Sequence, residues 1–233
     1  MSNFATDVAA VTTRARSVRH ALAALLPERV RRFARRCVEL DARARRVFVR
    51  QTIRRLARRE YTAYSHHGGS YRHVVFVCHG NILRSPFAAA VLARELNASY
   101  PDVVIRSAGL HARSGRPADP RGIIAAQSAD IDLRSHRAAP LTVELVRAAD
   151  LLVVMDFANE AECIAWFPDA EGKVRLLGAF DATGSRDSIE IPDPYTLDGA
   201  AVGHCYENVA RCISGLRAAL VEGPRRVASA ERR

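Results

Sequence analysis

Residues 75 to 85 read VFVCHGNILRS, an apolar run that ends in a cysteine, followed by a Gly-Asn pair and then Arg-Ser. Few folds accommodate such a stretch. The β-branched and aromatic residues from Val74 to Val77 suit a buried strand, and Gly80-Asn81 tolerate left-handed backbone, so the chain should turn sharply after Cys78. A helix beginning near Pro86 would then aim its N-terminus and the preceding N–H groups into one small concavity, which suits a tetrahedral oxyanion. Arg84 adds a planar fork of donors and Ser85 a hydroxyl near the sulfur, which makes Cys78 a thiolate at neutral pH by expectation.

Spacing alone does not single out this site. Cys37 is also followed six residues on by an arginine, Arg43, and Cys205 by Arg211, so three of the five cysteines satisfy Cys-x5-Arg. The residues between the other two pairs read as helix and include Glu39 and Asp41, or Glu207, which would repel a phosphate dianion. Only Cys78 has the strand, the turn residues and the hydroxyl together.

The stretch VFVCHGNILRSP resembles the phosphate-binding loop of the low-molecular-weight protein tyrosine phosphatases, and the likeness extends downstream. Ser107-Ala108-Gly109-Leu110, Pro117-Ala118-Asp119-Pro120, Asp132 to Arg137, Leu152 to Asp156 and Ile191-Pro192-Asp193-Pro194-Tyr195 follow in the family's order. The coverage is from about Tyr71 to about Val221. The SAGL segment and its short loop are most similar to the bacterial branch that acts on tyrosine kinases of capsule and exopolysaccharide systems.

The resemblance implies a phosphate site made by His79, Gly80, Asn81, Ile82, Leu83 and Ser85 around Cys78 and Arg84. It also implies a second catalytic group, because expelling a phenolate requires an acid. Two Asp-Pro pairs are available. Asp119-Pro120 precedes a helical run and reads as an N-cap with proline at the first helical position. Asp193-Pro194-Tyr195 lies in a loop and matches the family's acid loop, with Tyr195 lining the entrance beside a substrate ring. By the same resemblance Ser107 and His136 brace Asn81, whereas Asp156, at the carboxyl end of a strand, reads as structural. No cofactor and no metal are called for.

Two departures from the family pattern stand out. Leu83 occupies the place where many members carry a second cysteine, so Cys78 has no vicinal disulfide partner. Ile82 stands where arginine phosphatases of the same fold typically place threonine, which favours phosphotyrosine. A thioredoxin-coupled arsenate reductase is the alternative, because Cys205 and Cys212 could serve as a relay; a non-catalytic phosphotyrosine-binding adaptor is another.

The strand-like runs Val74 to Val77, Val103 to Ile105, Leu151 to Met155 and Val174 to Leu177 alternate with helical stretches. They predict an α/β fold: a four-stranded parallel sheet with helices on both faces, preceded by a basic helical extension. At 233 residues and 48% hydrophobic content the chain can build one such core and an appendage. The expected boundaries are an extension and linker over 1–70, a phosphatase domain over 71–222 and a basic tail over 223–233.

Charge separates these parts. Residues 1 to 72 carry 17 arginines against 5 acids, a balance of +12, whereas residues 73 to 233 carry 18 basic residues against 20 acids, a balance of −2. Phe33, Cys37, Leu40, Ala44 and Val47 recur at steps of three and four, which predicts one amphipathic helix from about Glu28 to Tyr61, with a shorter helix before Pro27. His66 to Ser70 reads as a flexible joint rather than a metal site.

Such an arm could contact an anionic membrane surface near a tyrosine autokinase, grip nucleic acid nonspecifically, dimerise, or fold back on the phosphatase. Specific DNA binding has no supporting pattern. The odd cysteine count points to a reducing compartment, and no segment approaches 18 apolar residues, so a cytoplasmic protein, peripheral to the membrane through its arm, is expected.

Overall fold

In the computed structural model, residues 27–58, 71–96, 100–181 and 189–222 are described. The expected short helix before Pro27, the joint at His66 to Ser70 and the basic tail lie outside them. Helices α1 (Glu28–Glu39) and α2 (Ala42–Arg58) precede β1 (His73–Cys78), α3 (Arg84–Leu96), β2 (Val104–Gly109), α4 (Pro120–Gln127) and α5 (Val143–Ala148). The chain continues through β3 (Leu151–Val154), α6 (Phe157–Trp166), β4 (Val174–Leu176) and α7 (Gly199–Glu222).

All four strands are parallel, in the order β2-β1-β3-β4. Apart from the exposed His73 at the start of β1, the two central strands are apolar because both of their faces are covered. Val74, Phe76, Leu151 and Val153 point to one side, where α3, α4 and α7 supply Phe87, Leu92, Ala126, Val209 and Leu216. Val75, Val77, Leu152 and Val154 point to the other, against Val146, Cys163 and Ile164. The chain leaves β1 first to one neighbour and later to the other. That order opens a crevice at the carboxyl ends of β1 and β3, where open sheets of this kind bind ligands. Cys78 is the last residue of β1.

The basic arm is two helices rather than one. Leu40 is extended, with φ −81° and ψ 144°. Asp41 then caps α2, its Oδ1 accepting from the N–H groups of Arg43 and Ala44, both at 2.8 Å. The break turns Leu40 inward. Leu40, Ala44 and Phe48 are buried against Ala158 and Ala161 of α6, and Phe33 stacks on Phe48 with ring centroids 5.3 Å apart. Small residues on α6 allow the close approach. At the seam Arg55 pairs with Glu160, lies 4.1 Å from the centroid of the Phe157 ring, and is largely buried with its partner.

Of the alternatives open for the arm, the described part folds back on the α/β domain. No helix among the described residues is long and apolar enough to cross a membrane. Phe48→Ala should weaken this docking by about 3 kcal/mol. Limited proteolysis would then cut the variant within the arm at protease concentrations that spare the wild type, and equal resistance of the two proteins would contradict the docking.

Candidate active site

After Cys78 the backbone turns on Asn81, whose φ is +51°. Gly80 shares the turn without taking a left-handed conformation, so asparagine rather than glycine provides it. Asn81 is fully buried and every polar group on it has a partner. Its N–H points at Cys78 Sγ, 3.3 Å away. Its Nδ2 donates to the hydroxyls of Ser85 and Ser107, both at 2.9 Å, and its Oδ1 accepts from the Ala139 N–H at 2.9 Å. His136 Nε2 donates to its carbonyl at 2.7 Å, which places the imidazole proton on Nε2. Ser107 and His136 thus hold the turn from two sides.

The loop also lies flat against the end of β2. The carbonyls of Cys78 and His79 accept from the N–H groups of Leu110 and His111, at 3.0 and 2.8 Å. A Cβ on Gly109 would come within 2.9 Å of both Asn81 N and the His79 carbonyl, so only glycine permits this approach. Ser85 Oγ is 3.0 Å from Cys78 Sγ and 3.2 Å from the Ala108 carbonyl, and its single proton can serve either. Helix α3 starts at Arg84, which turns its N-terminus toward the loop.

Arg84 is 1% exposed. Nη1 donates to Asp156 Oδ2 at 2.8 Å and to the Ile191 carbonyl at 3.0 Å, while Nη2 pairs with Asp193. Burial by itself would lower the guanidinium's pKa, but Asp156, Asp193 and Cys78 more than offset it and raise it above the ordinary arginine value. Asp156 thus ties two parts of the fold together. One carboxylate oxygen holds Arg84, and the other caps α6 by accepting from the Asn159 N–H at 2.8 Å.

Asp193 is carried by a loop pinned at both ends. The Ile191 N–H donates to the Met155 carbonyl at 2.8 Å, and Arg121 donates to the Tyr195 carbonyl at 3.1 Å. Arg121 also grips Asp119, which caps α4 with Pro120 at the first helical position, as expected. Between the loops is a cavity of about 530 Å3 lined by Cys78, His79, Gly80, Ile82, Leu83, Arg84, Asp193 and Tyr195. Asn81 and Ser85, expected among the phosphate contacts, sit behind this wall.

His111, Arg113 and Arg116 also line the cavity and were not expected. Two arginines in a short Gly- and Ser-containing loop after SAGL were the available signal. Arg116 Nη2 lies 3.4 Å from the Tyr195 hydroxyl, which keeps a cation at the entrance. His79 stacks on His111 with centroids 4.2 Å apart.

The profile of the low molecular weight phosphotyrosine protein phosphatase family matches residues 73–225. The chain belongs to this family. A probable low molecular weight protein-tyrosine-phosphatase EpsP of Ralstonia nicotianae is 38% identical over 138 residues, which cover 59% of this chain and 88% of that protein. The tyrosine phosphatase Wzb from Escherichia coli K30, solved with sulphate, superposes with a TM-score of 0.58 at 32% identity, covering 64% of this chain and 99% of the other. The YwlE arginine phosphatase from Geobacillus stearothermophilus gives a TM-score of 0.57 at 26% identity, over 64% and 92% of the two chains. The cavity at the end of β1 is thus set in a low-molecular-weight phosphatase fold, and the Arg-rich arm before residue 73 lies beyond the matched family region.

Cys205 and Cys212 of α7 are buried in the core, where desolvation pushes their thiols up to about 12 and about 11. Neither is poised as the thiolate a disulfide relay requires.

Burial, and after it the charge on His111, holds the His79 imidazole below its ordinary value. Its nuclear magnetic resonance titration should therefore have a midpoint below about 6.5. The unfolded chain takes up this proton first, so stability should fall as pH drops below about 6.5. A midpoint at or above that value would contradict the placement. Asn81→Ala should cost about 3 kcal/mol, from left-handed strain and lost hydrogen bonds, in thermal or denaturant unfolding.

Proposed function

We infer that this protein is a cysteine-dependent protein-tyrosine phosphatase that hydrolyses phosphotyrosine through a phosphocysteine intermediate. The observation that carries this reading is the meeting of Cys78, Arg84 and Asp193 at one cavity, although Asp193 is 109 residues from Arg84 in the chain.

The Cys78 thiolate attacks phosphorus in line, forming the S–P bond as the P–O bond to the tyrosyl ring breaks. The loop N–H groups and Arg84 hold the equatorial oxygens throughout. A phosphoryl group in the cradle competes for the Arg84 donors that Asp193 occupies, which frees the acid to face the leaving group. Asp193 gives its proton to the phenolate oxygen. It then takes one from the water that attacks phosphorus, and cleavage of the S–P bond regenerates the thiolate. Nucleophile, cation and acid are all side chains, so no cofactor is assigned.

Ile82 gives the cavity an apolar wall, and Tyr195, 46% exposed at the rim, offers a ring face to an aryl group. Both favour phosphotyrosine over phosphoarginine. The partner is accordingly a phosphotyrosine protein, and similarity to EpsP and Wzb supports a bacterial tyrosine autokinase in exopolysaccharide production. Five free cysteines among the described residues fit a reducing, cytoplasmic setting.

Phosphate release from a phosphotyrosine peptide, measured with chelator present, tests the reading. Cys78→Ser should abolish turnover while retaining phosphate binding, and Asp193→Asn should lower kcat by about 10²- to 10⁴-fold. Full activity in Cys78→Ser would refute the mechanism.

A further inference from the structure

We propose that His79, His111 and Glu162 form a three-ligand site for a zinc-type divalent cation at the rim of the cavity, with one coordination position left open to it. The three come from separate elements: the loop after Cys78, the loop after β2, and α6. One ligand atom from each lies within 4.8 Å of the other two. His111 Nε2 and Glu162 Oε1 are 3.2 Å apart. Two donors bound tetrahedrally at about 2.0–2.1 Å from one zinc ion stand about 3.4 Å apart, so that pair already has the required separation. The His79 ligand atom, within 4.8 Å of both, would need a side-chain rotation to complete the set.

The site is held in place by groups that are not ligands. The backbone hydrogen bond from His111 to the His79 carbonyl ties the two histidine backbones together, and the rings lie 25° from parallel. Trp166 meets the His111 ring edge-on, with centroids 4.9 Å apart, and donates its own N–H to Asp41 of the arm at 2.8 Å. The arm thereby braces one ligand through a single tryptophan. Glu162 is 12% exposed and hydrogen-bonds only His111 among the described contacts, so its carboxylate is free to turn to a cation. Two imidazoles and one carboxylate are a donor set typical of zinc, and a three-ligand site keeps a position for water or an anion.

Neither histidine nor Glu162 is needed by the mechanism as nucleophile, acid or arginine partner. A bound ion beside the entrance would slow turnover reversibly, and this consequence rests on the phosphatase reading, whereas the binding itself does not. The two are separated by measuring binding on the full-length Cys78→Ser protein, which removes the thiolate as a competing ligand. Calorimetric titration with Zn2+ should show one ion per chain, with affinity at least tenfold weaker in Cys78→Ser/Glu162→Gln and lost in Cys78→Ser/His111→Ala.

The Co2+ form of Cys78→Ser should show no sulfur-to-metal charge transfer. The isosteric glutamine keeps the test decisive if the alanine variant folds poorly. Unchanged affinity in the Glu162→Gln background, as would follow if the ion sat at His66 and His67, would overturn the proposal. So would a sulfur band, or the absence of binding. With Cys78 intact, the inhibitory Zn2+ concentration should rise at least tenfold in Glu162→Gln relative to wild type. An equal inhibitory concentration would overturn the link to turnover. Absence of phosphate release even with chelator would instead count against the phosphatase reading and leave the calorimetric result standing.

Discussion

A guanidinium almost wholly removed from water has to be surrounded by partners, and around Arg84 those partners organise the molecule. Burying a charge is costly, and removing one member of a buried pair costs about 3–5 kcal/mol because the other is left uncompensated. Arg84 is met by Asp156 from the end of β3 and by Asp193 and the Ile191 carbonyl from the loop before α7. Three distant segments are thus drawn to the carboxyl edge of the sheet by one cation. Cys78 reaches the same edge because β1 ends there.

Around that charge the cradle is closely hydrogen-bonded. Asn81 satisfies its backbone and amide groups within the fold, and Gly109 lets β2 approach close enough to accept the loop's geometry. Such preorganisation suits phosphoryl transfer, in which most of the work is positioning and charge stabilisation rather than new covalent chemistry. The Asp193 loop is held by Met155 at one end and Arg121 at the other, and its carboxylate is 38% exposed. The mechanism proposed for Asp193 has it leave Arg84 during turnover, which a partly exposed carboxylate can do more readily than a fully buried one.

The arm adds a second layer of constraint. Its arginines make it basic as a whole, yet α1 and α2 dock by an apolar stripe on the small residues of α6, with Arg55 and Glu160 enclosed at the seam. Asp41 serves three ends at once. It caps α2, breaks the predicted single helix and holds Trp166, whose ring braces His111 at the cavity. A segment outside the family match is in this way connected to the family's site.

Much of this was legible in the chain. The strand Val74 to Val77, the alternation of strands and helices, the cradle sequence and the N-cap at Asp119 are local signals, set by side-chain period, turn chemistry and spacing of a few residues. The stripe Leu40, Ala44 was legible too, but not the break beside it, because an aspartate within a basic helix reads equally well as a solvated acid or as a cap. Sequence therefore determined the loop after Cys78 and the sheet that carries it. Tertiary structure alone decided that Asp156 is Arg84's partner, that Asn81 and Ser85 stand behind the cavity wall, that the arm packs on α6, and that His79, His111 and Glu162 converge. Those groups are tens of residues apart, and nothing in local spacing reports which of them packing and charge pairing will bring together.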